Sequence, residues 1–161
     1  MPITPDPISI QRIAKLHPAV RAEALAICTG LWQGDVHVRV THGLRTWEEQ
    51  AVLYQMGRRT PGRIVTNAKA GQSYHNYGLA LDFCVLTPQK RASWNRDEDF
   101  NGDAVADYMQ VVEAFKHKGW EWGGDWTSFK DYPHLQKTFG YKVSELRAKS
   151  SNGIITYPQL T

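Results

Sequence analysis

The stretch Ser73-Tyr74-His75-Asn76-Tyr77-Gly78-Leu79-Ala80-Leu81-Asp82-Phe83 decides how this chain is read. Leu79, Leu81 and Phe83 recur at every second residue, so they share one face of a strand and send Ala80 and Asp82 to the other. A carboxylate therefore projects beside a small residue. Gly78 lies between His75 and Asp82, where a backbone without a Cβ makes the tight turn that brings a loop histidine and a strand carboxylate to one point. Further on, Asp131-Tyr132-Pro133-His134 supplies a second histidine and a second carboxylate, with Pro133 fixing the backbone beside His134. A hydrolytic metal site needs three protein ligands, commonly nitrogen or carboxylate oxygen, and one open position. His75, Asp82 and His134 meet that need, which leaves Asp131 as a proton acceptor. The alternative for His75 alone is a structural histidine. Neither segment has the helical His-Glu-x-x-His spacing.

Working outward, Ser9 is expected to cap a helix carrying Ile10, Ile13 and Leu16, and Pro18 suits the first turn of a second helix that runs to about Trp32. Val36, Val38 and Val40 alternate with polar residues as a half-buried strand does. Thr46 and Glu49 have capping-box spacing, opening a helix through Val52 and Leu53 that ends at Gly57. Arg58 to Gln72 has no periodicity and reads as a long loop, a common place for function. A helix from about Asp103 to Lys118 carries Val105, Met109, Val112 and Phe115 and stops at Gly119. A short helix around Ser144 to Lys149 follows.

The 161 residues suffice for one self-stabilised domain, residues 1–161, and no linker or repeat divides them. Hydrophobic residues at 42% and charged ones at 22% describe an ordinary globular chain. The net charge of +3 suits an anionic polymer such as a cell wall, but no dense basic run points to nucleic acid. No apolar run approaches the ~20 residues of a membrane span, so membrane insertion is not expected. Cys28 and Cys84 sit in apolar stretches and read as buried free thiols; without a Cys-x-x-Cys, a cysteine zinc site is excluded. The proline-rich start has no cationic segment, apolar core or cleavage site, so the expectation is synthesis in the cytoplasm without a signal peptide.

Ser-x-His-x-x-Gly-x-Ala-x-Asp at Ser73 to Asp82, followed by Asp-x-Pro-His at Asp131 to His134, resembles the peptidoglycan-cleaving zinc peptidases of the D-alanyl-D-alanine carboxypeptidase and L-alanyl-D-glutamate endopeptidase group. Gly43 to Gln50, Val65 to Ala68 and Trp122 to Trp126 resemble the endopeptidase branch, which includes phage endolysins. The resemblance covers about Leu16 to His134. It implies an α+β single domain, a small antiparallel sheet flanked by helices, with the fold shared by the hedgehog signalling domain. It implies zinc on His75, Asp82 and His134, Asp131 as the catalytic acid/base, and Arg45 as a cation near the scissile carbonyl. Many relatives carry glutamate where Asp131 stands, and the shorter side chain needs closer backbone placement.

Glu121 and Asp125 are competing carboxylates for the base. Trp122 and Asp125, in a segment of tryptophans and paired glycines, are candidates for a wall of the substrate cleft. Ser73 is a candidate to bind substrate or to orient His75, because a ligating imidazole needs a partner on its other nitrogen. His42, three residues before Arg45, is the remaining histidine nearest these motifs. The loop Asp97 to Asp103 has oxygen ligands at alternate positions and Gly102 sixth, as calcium loops do; Tyr108 holds the twelfth position, where a bidentate glutamate belongs. A loop capping the next helix is the alternative, and calcium remains the second metal considered. The implied activity is cleavage of peptidoglycan stem peptides between L-alanine and D-glutamate. With no export signal seen, a phage or prophage endolysin acting at the cell wall is expected, and a monomer, because a polymer-cutting enzyme gains little from hiding its cleft. Alternatives are a D-alanyl-D-alanine carboxypeptidase or dipeptidase, and a zinc-bearing binding module.

Overall fold

The computed structural model describes residues 2–161. Five helices surround one antiparallel sheet: α1 (Pro7–Ala14), α2 (Pro18–Gln33), α3 (Trp47–Gln55), α4 (Asp107–His117) and α5 (Val143–Lys149) with β1 (Val38–His42), β2 (Ala80–Leu86), β3 (Ala92–Ser93), β4 (Glu121–Trp122) and β5 (His134–Gln136). Strand order is β1-β2-β5-β4, and β3 continues along the β5 edge of β2. The antiparallel sheet flanked by helices matches the expected α+β class.

The alternation in β2 does what its period requires. Leu79, Leu81 and Phe83 are fully buried in a core shared with Val38 and Val40 of β1, Val20 and Ala24 of α2, and Val111, Val112 and Phe115 of α4. Asp82 emerges on the opposite face. Its cross-strand partner is His134 of β5, so pairing in the sheet alone places these two side chains together. Beside them, the β1–β2 register slips between Val40 and His42, a bulge that sets His42 opposite Asp82 and turns the chain toward Gly43.

Several local expectations shift. Asp6 caps α1, accepting from the Ser9 amide, while the buried Ser9 hydroxyl ties Asp6 to the Val40 amide of β1. The Thr46–Glu49 capping box is present, but the helix it opens buries Gln50 and leaves Val52 exposed. The long helix begins at Asp107, not near Asp103, and its inward stripe is Tyr108, Val111, Val112 and Phe115, with Val105 outside and exposed. Both cysteines are free and buried, and burial raises their thiols to about 12 for Cys28 and about 11 for Cys84. No helix among the described residues is long and apolar enough to cross a membrane.

Candidate metal centre and active-site cleft

Ser73 caps a 3-10 turn, Tyr74–Tyr77, by accepting from the His75 amide; Asn76 closes the reciprocal bond. Gly78 ends the turn at φ 69°, and a Cβ there would meet the His17 amide nitrogen at 2.5 Å. The position is therefore closed to side chains on conformational and steric grounds. The turn aims His75 at the bulged end of β1, where its Nδ1 lies 2.8 Å from the Gly43 carbonyl. A carbonyl only accepts, so Nδ1 carries the ring proton and Nε2 presents a lone pair. That lone pair faces Asp82 Oδ1 at 3.3 Å.

The other imidazole repeats the logic. His134 Nε2 lies 2.8 Å from Gln136 Oε1, which leaves Nδ1 facing the same Asp82 oxygen at 3.4 Å. The three ligand atoms lie within 4.8 Å of one another, and Asp82 Oδ1 is buried with no hydrogen-bond donor. Two imidazole lone pairs and a carboxylate oxygen thus converge on a space without positive charge. Such a space requires a proton or a cation. Two nitrogens, each steadied from behind, and one carboxylate oxygen suit zinc. Without a metal the centre draws on protons: burial disfavours ionised Asp82, but the two imidazoles outweigh it and hold the carboxyl far below its usual range. Burial likewise works against a charged His134, and Asp82 outweighs it, holding the imidazole above its usual value.

Asp131 lies across the centre, its Oδ2 3.9 Å from His134 Nδ1, and its side chain opens to the cleft. Burial of its surroundings, then the Asp82 charge, push its carboxyl above the ordinary range. Its backbone is held from the core. Trp122 Nε1 and the Tyr108 hydroxyl both donate to the Tyr132 carbonyl, at 2.6 and 2.8 Å, and the Asp131 amide donates to the Gly123 carbonyl. Gly123 admits no side chain because a Cβ would strike the Asp131 carbonyl. These contacts fix the backbone that carries Asp131.

Arg45 lines the same cleft, with its Nη1 donating to Gln50 Oε1 at 3.1 Å, while Gln50 Nε2 donates to the Ala68 carbonyl at 2.8 Å. Gln50 is fully buried. It couples the arginine to the loop from Arg58 to Gln72, and its place inside a helix of weak amphipathicity gave no sign of that in the sequence. Arg58 staples the same loop, stacking on Tyr54 and donating to the Tyr54 and Thr66 carbonyls and to Asn67 Oδ1. The cleft has a volume of about 1610 Å³, and its lining includes His134, Gln136, Arg45, Val52, Met56, Ile64 and Val65.

Other candidates fall elsewhere. Trp122 is a core residue supporting the Asp131 segment, and Asp125 pairs with Lys116 at 2.7 Å; neither lines the cleft. Trp126 takes that place, its ring centroid 5.2 Å from that of His134. Glu121 accepts from Gln136 Nε2 behind His134 and does not face the metal-binding atoms. Ser73 lines the cleft, but the ring partner of His75 is Gly43. His42 is exposed, with Nδ1 3.8 Å from Asp82 Oδ2. In the Asp97–Asp103 loop, Asp99 accepts from the Gly102 and Ala104 amides and Asp103 accepts from Val105, Asn101 and Gln110. These carboxylates are engaged by backbone and side-chain donors of the loop and by Gln110 of α4, and calcium is unsupported.

The family model described as D-alanyl-D-alanine carboxypeptidase matches residues 66–137. The chain is 45% identical over 121 residues to the peptidoglycan L-alanyl-D-glutamate endopeptidase CwlK of Bacillus subtilis, covering 75% of this chain and 72% of that protein. It is 31% identical over 134 residues to the L-alanyl-D-glutamate peptidase of a Listeria phage, covering 83% of this chain and 41% of that protein. Among solved structures, the L-Ala D-Glu endopeptidase ChiX of Serratia marcescens superposes with a TM-score of 0.53 at 25% identity, over 86% of this chain and 92% of that one.

Proposed function

The chain belongs to the peptidase family of D-alanyl-D-alanine carboxypeptidases and L-alanyl-D-glutamate endopeptidases, and from that membership we propose that it is a zinc-dependent endopeptidase cutting the L-alanyl-D-glutamate bond of peptidoglycan stem peptides. The observation that carries the chemistry is the convergence of His75 Nε2, His134 Nδ1 and the donor-less Asp82 Oδ1. Zinc held by these atoms supplies Lewis acidity that polarises the scissile carbonyl and acidifies water. Asp131, opening to the cleft beside them, accepts the water's proton and returns it to the leaving amine. Arg45, held in place by Gln50, offers a fixed cation to the oxyanion that forms as the carbonyl is attacked.

The choice of bond follows the relatives, which are named for L-alanyl-D-glutamate cleavage. A cleft of about 1610 Å³ lined by Ile64 and Val65 as well as by Arg45 and His134 has room for an extended peptide, as an endopeptidase requires. A lytic role at the cell wall in a phage or prophage setting accords with the phage relative. The test is mass analysis of products from purified peptidoglycan, with Asp131→Ala and His134→Ala as controls. Cleavage after L-alanine, lost in both variants, is expected. Release of terminal D-alanine instead assigns the carboxypeptidase reaction, and zinc uptake without any product assigns a binding module.

A further inference from the structure

Behind His134 lies a chain of polar groups that the hydrolytic step does not use. β4 pairs with β5 so that Glu121 is directly opposite Gln136. Gln136 Nε2 donates to Glu121 Oε2 at 2.9 Å, and Gln136 Oε1 faces His134 Nε2 at 2.8 Å. A primary amide has one donating end and one accepting end. An ionised carboxylate only accepts, so Glu121 draws the NH2 end toward itself and turns the oxygen toward the ring. That oxygen in turn requires a proton on His134 Nε2. Nδ1 is thereby left to face Asp82 Oδ1. Gln136 is buried, so water does not readily replace either bond, whereas Glu121 is exposed.

We propose that Glu121 and Gln136 form a tautomer-setting relay, positioning residues that keep the His134 proton on Nε2 and so present Nδ1 as a metal donor. The proposal rests on His134 being a ligand. It singles out this histidine because the equivalent partner of His75 is the backbone carbonyl of Gly43, which no substitution removes. Losing the relay frees the neutral ring to place its proton on Nδ1, against the Asp82 carboxylate, which closes the site to a cation. Partners of this kind change metal affinity about 10–100-fold.

The test uses the full chain in two forms. Long-range proton–nitrogen NMR of the metal-free protein, at a pH where the ring is neutral, reads the tautomer directly. Competition with a chelator reads zinc affinity. The wild type is expected to hold His134 as the Nε2-H form, with mixed tautomers and roughly 10–100-fold weaker zinc binding in Gln136→Leu and Glu121→Ala. Glu121→Gln, whose amide can donate as well as accept, keeps a partner for Gln136 without fixing its direction and is expected to fall between the wild type and Glu121→Ala in both readouts. An unchanged tautomer and unchanged zinc affinity in folded Gln136→Leu or Glu121→Ala overturns the relay. Should Gln136→Leu not fold, Glu121→Ala at the exposed end decides alone. A wild type that takes up no zinc defeats the metal-site reading, while the NMR result still decides whether the relay sets the tautomer.

Discussion

The two halves of the cleft are held by different means. Asp82 and His134 are cross-strand partners, and Gln136 and Glu121 repeat that relation one strand further out. Their geometry comes from the backbone ladder. His75 and Arg45 sit on a turn and a loop, joined by the bond from the Arg45 amide to the His75 carbonyl, the His75 ring on Gly43, and Gln50 reaching both Arg45 and Ala68. On the sheet side, position is shared among many hydrogen bonds. On the loop side it depends on a few side chains. Substitutions on the loop side are therefore expected to disturb placement more than their loss of contact area suggests.

The largest effects come from removing a converging donor from either half. His75→Ala and His134→Ala each remove one of three converging donors, and both are expected to abolish zinc uptake and stem-peptide cleavage. The thermal midpoint checks the metal part directly. Zinc at about 100 times its Kd stabilises a protein that binds it only when folded by about 2.7 kcal/mol, so the midpoint should rise in the wild type and stay fixed in both variants. Next is Arg45→Ala, which leaves the three donors intact. We expect zinc affinity to hold while kcat falls about 10²–10³-fold, the usual cost of removing an oxyanion donor.

The same contrast explains what the sequence disclosed. Period-two alternation from Leu79 to Phe83 was enough to place Asp82 on the face opposite the core, because a strand leaves side chains only two directions. The capping box at Thr46 was legible for a similar reason: its two bonds are local. Trp122 and Asp125 misled because aromatic and glycine residues beside a motif suggest a cleft wall, whereas the indole faces inward to the Tyr132 carbonyl and Gly123 makes room for Asp131. Gln50 was invisible because its partners, Arg45 and Ala68, are set by the fold of a loop without periodicity. Val112 and Phe115 of α4 are core residues as expected, but the helix start and Val105 were misjudged because Asp99 and Asp103 cap their own loop, so the helix starts later than the acidic run suggests.

A sharper test of the loop half is Gln50→Leu. It keeps the volume roughly constant but removes an acceptor from Arg45 and a donor from the half-buried Ala68 carbonyl. Unpaired buried groups cost about 1–3 kcal/mol, and small displacements of a catalytic group are amplified in rate. Stability should fall by about that amount and kcat should drop, with zinc affinity unchanged because no ligand touches Gln50. A loss of zinc affinity equal to that of Gln136→Leu would show the two halves to be one mechanical unit.

The smallest effect belongs to the sheet side. Glu23 of α2 accepts from Lys137 Nζ at 2.7 Å and from Trp120 Nε1 at 2.8 Å, tying the helix to residues flanking β5 and β4. Burial opposes its ionisation, but these hydrogen bonds and the Lys137 charge outweigh burial and lower its pKa. A carboxylate lowered in the folded state contributes stability above its unfolded pKa of about 4.3, and that contribution disappears as pH falls through the folded value. Glu23→Gln keeps an oxygen for Trp120 and deletes only the charge. For a pair only partly buried and still screened by solvent the loss should be ~0.5 kcal/mol at neutral pH. The midpoint difference between wild type and variant should therefore close as pH drops below 4.3 or so, with kcat the same in both at neutral pH. A change in kcat at neutral pH would mean that the ladder does not isolate the metal-binding face from its edges, and the contrast between the halves would fail on the side where it is strongest.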